Sequence, residues 1–301
     1  MTVAEIFILL FCIIGLIENL LIIFVILADR TLRKNLANQF FVNLMVWYFL
    51  FDLASLLRSV VSSMGMNVVD LLITTIIASS LAISALTLDR MLAIKFPYRH
   101  HSLPRWVPCL VIIFCWAIPI AYLILSFVLE DEIKDFTRGC IFVTTNITAI
   151  VCLVVSNTII FVEARMQLKK IEKTQVRTTS PKDEQFSSNA LQSKSKTVSA
   201  NKVKSETRLA YICFGVVITY IIFWLPMTLE YLINGLQRQR PSEATRVLVY
   251  LNAIVMPVFY AWFNKSVKKS LKSRMCRIHS TTSHSDESYV SSSRGSEGTK
   301  M

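Results

Sequence analysis

Apolar residues fill seven long runs along the chain, roughly 3–27, 37–58, 67–94, 107–129, 144–164, 207–234 and 245–263. Each comes close to the 20 or so residues needed to cross a hydrocarbon core of about 30 Å, so each predicts a transmembrane helix. The expected fold is an all-α membrane protein, with a seven-helix bundle making one domain over residues 1–263. The polar stretches between the runs are short, with one exception. Residues 165–206, which include "TTSPKDEQFSSNALQSKSKT", have too few large apolar side chains to form a core and are expected to be disordered. The same holds for the Ser/Thr-rich end at 277–301. Between the last run and that tail, residues 264–276 place Val267 and Leu271 four apart among lysines, the pattern of a short amphipathic helix lying on a membrane.

Composition agrees with a chain solvated largely by lipid. Hydrophobic residues make up 53% and charged residues only 17%, well under the quarter or so usual for soluble domains. The charges are unevenly placed. Arg30, Arg33 and Lys34 follow the first run, Lys95, Arg99 and Arg105 the third, Arg165, Lys169, Lys170 and Lys173 the fifth, and Lys265 to Arg274 the seventh. All fall on one side of a seven-span chain, which assigns that side to the cytoplasm. The 126–143 loop, with Glu130, Asp131, Glu132 and Asp135, falls on the other. The amino terminus is thus expected outside and the carboxyl terminus inside. The first run lacks a basic flank before it and a small-residue cleavage site after it, so it predicts a retained span. The formal charge of +12 belongs mostly to the face that meets anionic lipid, and a nucleic-acid partner is not implied.

One charged pair lies at the end of a run that is otherwise apolar: Asp89 and Arg90, in "LTLDRMLAIKFPY" at 86–98. Ionisable residues inside a span are costly and usually functional. Others fall in order on the remaining runs: Asn19 in "GLIENLLI", "NQFFVNL" opening the second, Trp116 in "FCWAIP", Trp224 and Pro226 in "YIIFWLPM", and Asn252, Pro257 and Tyr260 in "NAIVMPVFY". Together they resemble the helix signatures of rhodopsin-like G-protein-coupled receptors, with Met91 where the Asp-Arg-Tyr segment usually ends. The resemblance extends from the first run to the seventh, although the fifth, 144–164, has neither proline nor tyrosine and carries none of these signatures. It implies a plasma-membrane receptor that takes an extracellular ligand and activates a heterotrimeric G protein, with no cofactor. Asp89, Arg90, Glu206, Trp224, Pro226, Asn252, Pro257 and Tyr260 would form its activation switch, and Asn19 and Trp116 would be structural. Glu206 stands twenty residues before Pro226, where relatives often hold an acid that latches the third-helix arginine. Pro226 and Pro257 each remove a backbone hydrogen bond within a span, so bends are expected at both.

The sequence also departs from the family. Tyr48 stands where the second helix usually carries a sodium-binding aspartate, and Met256 replaces the asparagine before Pro257. Ser79 and Asn252 remain, and Asp52, one turn beyond Tyr48, could point to a similar face. No disulfide is available between the third span and the outer loop, because Cys140 is the only cysteine in an outer loop and Gly65 holds the expected partner position. With "LIEN" in the first span, these losses resemble the branch containing melanocortin, cannabinoid and lysophospholipid receptors.

Counting outward from Arg90 at helical spacing gives Leu86, Ile83, Ser79, Ile76, Leu72 and Val68 as the inner stripe of the third span. The upper wall is apolar. Val68, Leu72 and Ile76, with Met227 and Tyr231 from the sixth span, are the ligand-pocket candidates. Leu72 takes the place of the aspartate found in amine receptors, which points to a lipid, a small peptide or another non-aminergic ligand. Asp70 and Glu230 fall off the inward stripes, which suggests rim or capping roles. Cys276 is a palmitoylation candidate, and the serines and threonines from Ser280 to Ser293 suit a receptor kinase and an arrestin. The four histidines lack metal-ligand spacing and no phosphate loop is present, so no enzyme is implied. The alternative is a seven-span transporter or channel, with Pro226 and Pro257 read as breaks in pathway helices.

Overall fold

A computed structural model of the chain describes residues 2–61, 68–104, 106–129, 131–178, 214–234 and 242–274. Every regular element among these is a helix: α1 (Val3–Ala28), α2 (Arg30–Arg33), α3 (Leu36–Val61), α4 (Val69–Lys95), α5 (Pro97–His101), α6 (Trp106–Val128), α7 (Asp131–Thr178), α8 (Phe214–Ile233), α9 (Glu243–Phe263) and α10 (265–274). Seven of them are long and apolar enough to cross a membrane: α1, α3, α4, α6, α7, α8 and α9. The protein is a seven-helix membrane bundle. Glu206, Cys276, Gly65, the hydroxyl-rich tail and most of the 165–206 segment lie outside the described residues.

Burial decides which helix is the axis. In α4, 72% of the most apolar window is buried, and in α3 61%, against 22% in α1 and α6. Accordingly α4 packs against α3, α6 and α7, while α1 packs against α3 and α9. The outer helices show lipid an apolar skin, for example Ile13, Ile17, Leu20 and Phe24 on α1. One continuous core of α1, α3, α4, α7, α8 and α9 side chains fills the centre, with Leu44, Tyr48, Ile83, Leu153, Trp224 and Met256 almost wholly buried.

Local chemistry sets the ends. Thr2 caps α1 and Glu5 returns the bond to the Thr2 N–H, satisfying two donors reciprocally. Asp29 closes α1 and opens α2 by accepting from the Thr31 N–H at 2.9 Å. That bond holds the Asp29 carboxyl below its ordinary pKa, assisted by the Leu32 N–H. At the far end of α4, Pro97 stops the helix and starts α5 at its first turn. Past Phe263, α10 buries Val267 completely and leaves Lys265, Lys268 and Lys272 exposed.

The fifth span differs most from its expected extent. The helix is 48 residues long and runs from Asp131 to Thr178, through most of the acidic loop and into the first part of the segment expected to be disordered. No proline interrupts 131–178, acids occupy its first turn where the helix dipole favours them, and "EARMQLKKIEK" is built of good helix formers. Cys140 is therefore helical and half-buried rather than in a loop.

Candidate functional site

The basic end of the bundle holds the Asp89–Arg90 pair, both side chains less than a tenth exposed. The Arg90 Nε donates to Asp89 Oδ2 at 2.9 Å, and Nη2 donates to the same oxygen. The other carboxylate oxygen, Oδ1, lies 2.8 Å from His100 Nε2. Helix α5 makes this contact. By reversing the chain at Pro97 it brings a residue eleven positions on back over Asp89. Sequence reasoning set His100 aside because it looked only for metal spacing; the proline turn between an acid and a histidine was the available signal.

Deeper in the bundle, polar side chains tie α9 to α1 and α3. Pro257 has no N–H for the Ala253 carbonyl one turn back. That carbonyl instead faces Asn19 Nδ2 at 3.5 Å, which also donates to the Gly15 carbonyl at 2.8 Å and to Asp52 Oδ2 at 3.4 Å. Asn19, Asp52 and Asn252 are fully buried. Gly15 is a packing requirement here, since a Cβ on it would overlap the Asp52 carboxylate. Two further bonds lock α9 to α3: Asn252 Nδ2 to the Tyr48 hydroxyl at 3.0 Å, and the Tyr260 hydroxyl to Asn38 Oδ1 at 2.5 Å. Tyr260 also stacks on Phe41.

The residues discussed for sodium are thus split. Asp52 pairs with Asn19 toward α1, Tyr48 pairs with Asn252, and Met256 is buried between spans. The Ser79 hydroxyl donates to the Ile76 carbonyl of its own helix at 3.0 Å. Asp52 Oδ1 and Asn252 Oδ1 are buried without a hydrogen-bond partner among the described residues.

Above this layer Trp224 is buried against Tyr220 and Phe142, at ring separations of 5.8 and 6.2 Å. The Tyr220 hydroxyl links three spans, meeting Ser80 Oγ at 2.8 Å and donating to Asn146 Oδ1 at 3.0 Å. The Thr228 hydroxyl takes up the Trp224 carbonyl next to Pro226. Trp116 donates from Nε1 to Asn43 Oδ1 at 2.9 Å, fastening α6 to α3. Ser80, Tyr220 and Asn146 were not among the residues singled out, since hydroxyls and amides on a buried face look like packing until their partners are known.

Toward the acidic end, Leu72 and Ile76 are buried, with Met227, Tyr231 and Tyr250 packed against the same core. Val68 is half-buried just before α4. Tyr231 lies on Phe142 at 4.8 Å. Asp70 does not face this wall. Its carboxylate receives both Nε and Nη2 of Arg138, each at 2.7 Å, and the Tyr122 hydroxyl at 3.4 Å. Glu230 accepts from the Ser242 N–H and the Thr245 hydroxyl, each at 2.7 Å, and so steadies the start of α9.

A helix bundle with a buried acid–arginine pair at one end and an aromatic, apolar wall at the other has the layout of a seven-span receptor. Residues 18–260 match the profile of the family described as "7 transmembrane receptor (rhodopsin family)", and the chain belongs to that family. Its members are receptors, not enzymes. The chain is also similar to trace amine-associated receptor 8c of Mus musculus, 25% identical over 133 residues. That match covers 42% of this chain and 36% of the mouse protein, so it spans only about a third of the relative's length.

Proposed function

We propose that the chain is a plasma-membrane receptor, amino terminus outside and carboxyl terminus in the cytoplasm, that activates a heterotrimeric G protein when a non-aminergic ligand binds against its outer wall. The observation that supports this most is the Asp89–Arg90–His100 cluster, with Tyr260 held to Asn38 nearby in the same half of the bundle. Both arrangements are bistable in kind. Each charged or hydroxyl group is desolvated and bonded now; Tyr260 must find a new partner if α9 moves away from α3, and Asp89, Arg90 and His100 must do so if α5 leaves α4 or if an incoming group competes for Arg90. Pro226 and Pro257 are the points at which α8 and α9 can bend, Trp224 sits two residues before the first, and Glu206 is the proposed latch for Arg90 in the resting state. The mouse relative is named for trace amines, but Leu72 gives this chain no carboxylate to receive an ammonium from the inner face of α4. A lipid or a small peptide suits the apolar wall of Val68, Leu72, Ile76, Met227 and Tyr231 better. Sodium is not assigned to the Asp52, Ser79 and Asn252 positions, because Tyr48 and Met256 stand where the family carries an aspartate and an asparagine and the Ser79 hydroxyl is taken by its own helix. Cys276 would carry a lipid anchor beside α10, and the tail beyond it would recruit a receptor kinase and an arrestin.

The test is guanine-nucleotide exchange by added heterotrimers on the full-length protein in nanodiscs, run beside a flux assay in sealed vesicles. Accelerated exchange that is lost in Arg90→Ala is the expected result. Ion or solute flux with no exchange on any G-protein class would replace the receptor reading with a transporter or channel.

A further inference from the structure

Where α1 ends, α10 comes back beside α2 and leaves a cavity of about 410 Å³ between them. Val267, fully buried, pins α10 to the core, and the buried Leu32 of α2 gives the cavity its apolar side. The rest of the lining is polar. Two cations, Lys269 and Arg274, share it with the hydroxyl groups of Thr31, Ser266, Ser270 and Ser273. Asp29 lies there too, but its carboxylate is occupied by α2, with Oδ1 accepting from the Thr31 N–H at 2.9 Å and the Leu32 N–H at 3.4 Å. Among the described residues neither Lys269 nor Arg274 has an ion-pair partner. Cations and hydroxyl donors gathered without a paired acid suit phosphate oxygens: the ammonium as a point charge, the guanidinium as a planar fork, each hydroxyl through one O–H. The volume falls within the range of about 300–1,000 Å³ usual for small-molecule sites, which suits a whole headgroup better than a lone ion.

The surroundings favour a lipid as the source of that phosphate. The Arg274 guanidinium lies over the Phe24 ring, 5.5 Å from its centroid, and Phe24 is 58% exposed on the lipid-facing skin of α1. Lys268, beside Lys269, lies 4.4 Å over the ring of Trp262, which is exposed near the end of α9. Cations stacked on lipid-facing aromatic rings mark the level at which acyl chains give way to headgroups. We propose that the cavity between α2 and α10 binds the headgroup of an inner-leaflet lipid bearing a phosphomonoester on a polyol. Lys269 and Arg274 take the phosphate, and the serine and threonine hydroxyls take the polyol. The assignment to the inner leaflet rests on the orientation proposed above; the site itself does not depend on G-protein coupling.

Native mass spectrometry of the full-length protein in mixed micelles counts bound lipids directly. The probe is phosphatidylinositol 4-phosphate, compared with phosphatidylserine at matched total charge and with soluble inositol 1,4-bisphosphate as the free headgroup. Saturable binding of the probe is expected, about tenfold or more tighter than that of phosphatidylserine. Lys269→Gln with Arg274→Gln should weaken it about tenfold or more. Lys265→Gln with Lys272→Gln removes the same charge from exposed positions of α10 outside the cavity, and should weaken it less than about threefold. If the first pair does not fold, Ser273→Asp, which sets a like charge in the lining, must weaken binding instead. Equal losses from the two lysine-containing pairs, or equal binding of phosphatidylserine, would mean a diffuse basic face and overturns the proposal. Equal affinity for the soluble bisphosphate overturns it as well, by making the site one for a solute. Selective lipid binding with no nucleotide exchange on any G-protein class keeps the site and removes the receptor reading; exchange that is lost in Arg90→Ala, with no selective lipid binding, does the reverse.

Discussion

The Asp70–Arg138 pair joins the start of α4 to the first part of α7, the two regions that a disulfide joins in most receptors of this resemblance. Both side chains are 13% exposed, and the contact is two-pronged. Removing one partner of a fully buried pair costs about 3–5 kcal/mol, while exposed pairs are worth about 0.2–1 kcal/mol. At this degree of burial we expect about 2–3 kcal/mol for Asp70→Asn or Arg138→Gln alone. The double variant should cost much less than the sum, leaving a coupling of about 1.5 kcal/mol. Tyr122→Phe removes only a 3.4 Å contact and should cost under about 1 kcal/mol. Unfolding of the purified protein can be followed with a thiol-reactive dye, because Cys12 and Cys115 are free and buried in the folded state. Since the tie is ionic, adding a reductant should leave the melting curve in place when unfolding is followed by tryptophan fluorescence instead of the dye. Additivity of the two single variants within about 0.5 kcal/mol would refute the idea that this pair replaces the covalent tie.

Three further outcomes are expected. Gly15→Ala should lower folded yield by driving a methyl into the Asp52 carboxylate, and Gly15→Ala with Asp52→Ala should recover part of it; fluorescence-detected size exclusion of both variants decides this. Glu206→Ala should raise ligand-independent nucleotide exchange and Arg90→Ala should abolish exchange, at matched surface expression, with unchanged basal exchange in Glu206→Ala counting against the latch. Agonist affinity should depend only weakly on sodium; a strong, saturable effect lost in Asp52→Asn and not reproduced by potassium would show that Asp52 binds the ion after all.

The spans were readable because lipid imposes a length and a polarity on each, and the seven apolar runs meet both conditions without help from tertiary context. Helix ends outside lipid obey weaker rules, which is why α7 overran both of its expected limits. The same contrast holds within the site. Asp89, Arg90, Trp224 and Tyr260 stand out as costly or bulky groups in apolar runs. His100 does not, since its partner is fixed by the turn at Pro97. The neighbour of Asp52 depends on Gly15, whose missing side chain lets α1 come close enough for Asn19 and Asp52 to meet.

The bond from Asn19 to the Ala253 carbonyl spans 234 residues of sequence, and this has a meaning for biosynthesis. When α1 and α3 have entered the membrane, Asn19 and Asp52 can already satisfy part of each other's polarity, as a hairpin closed over 33 residues. The carbonyl freed by Pro257 has no such early partner. It enters with the last and least apolar span, at mean hydropathy 1.5 against 2.8 for the first, and its acceptor stays unpaired in lipid until α9 reaches α1. The first span made is therefore the receiving surface for the last, and a chain interrupted before α9 would remain an open half-ring, recognisable to the cell's quality control as unfinished.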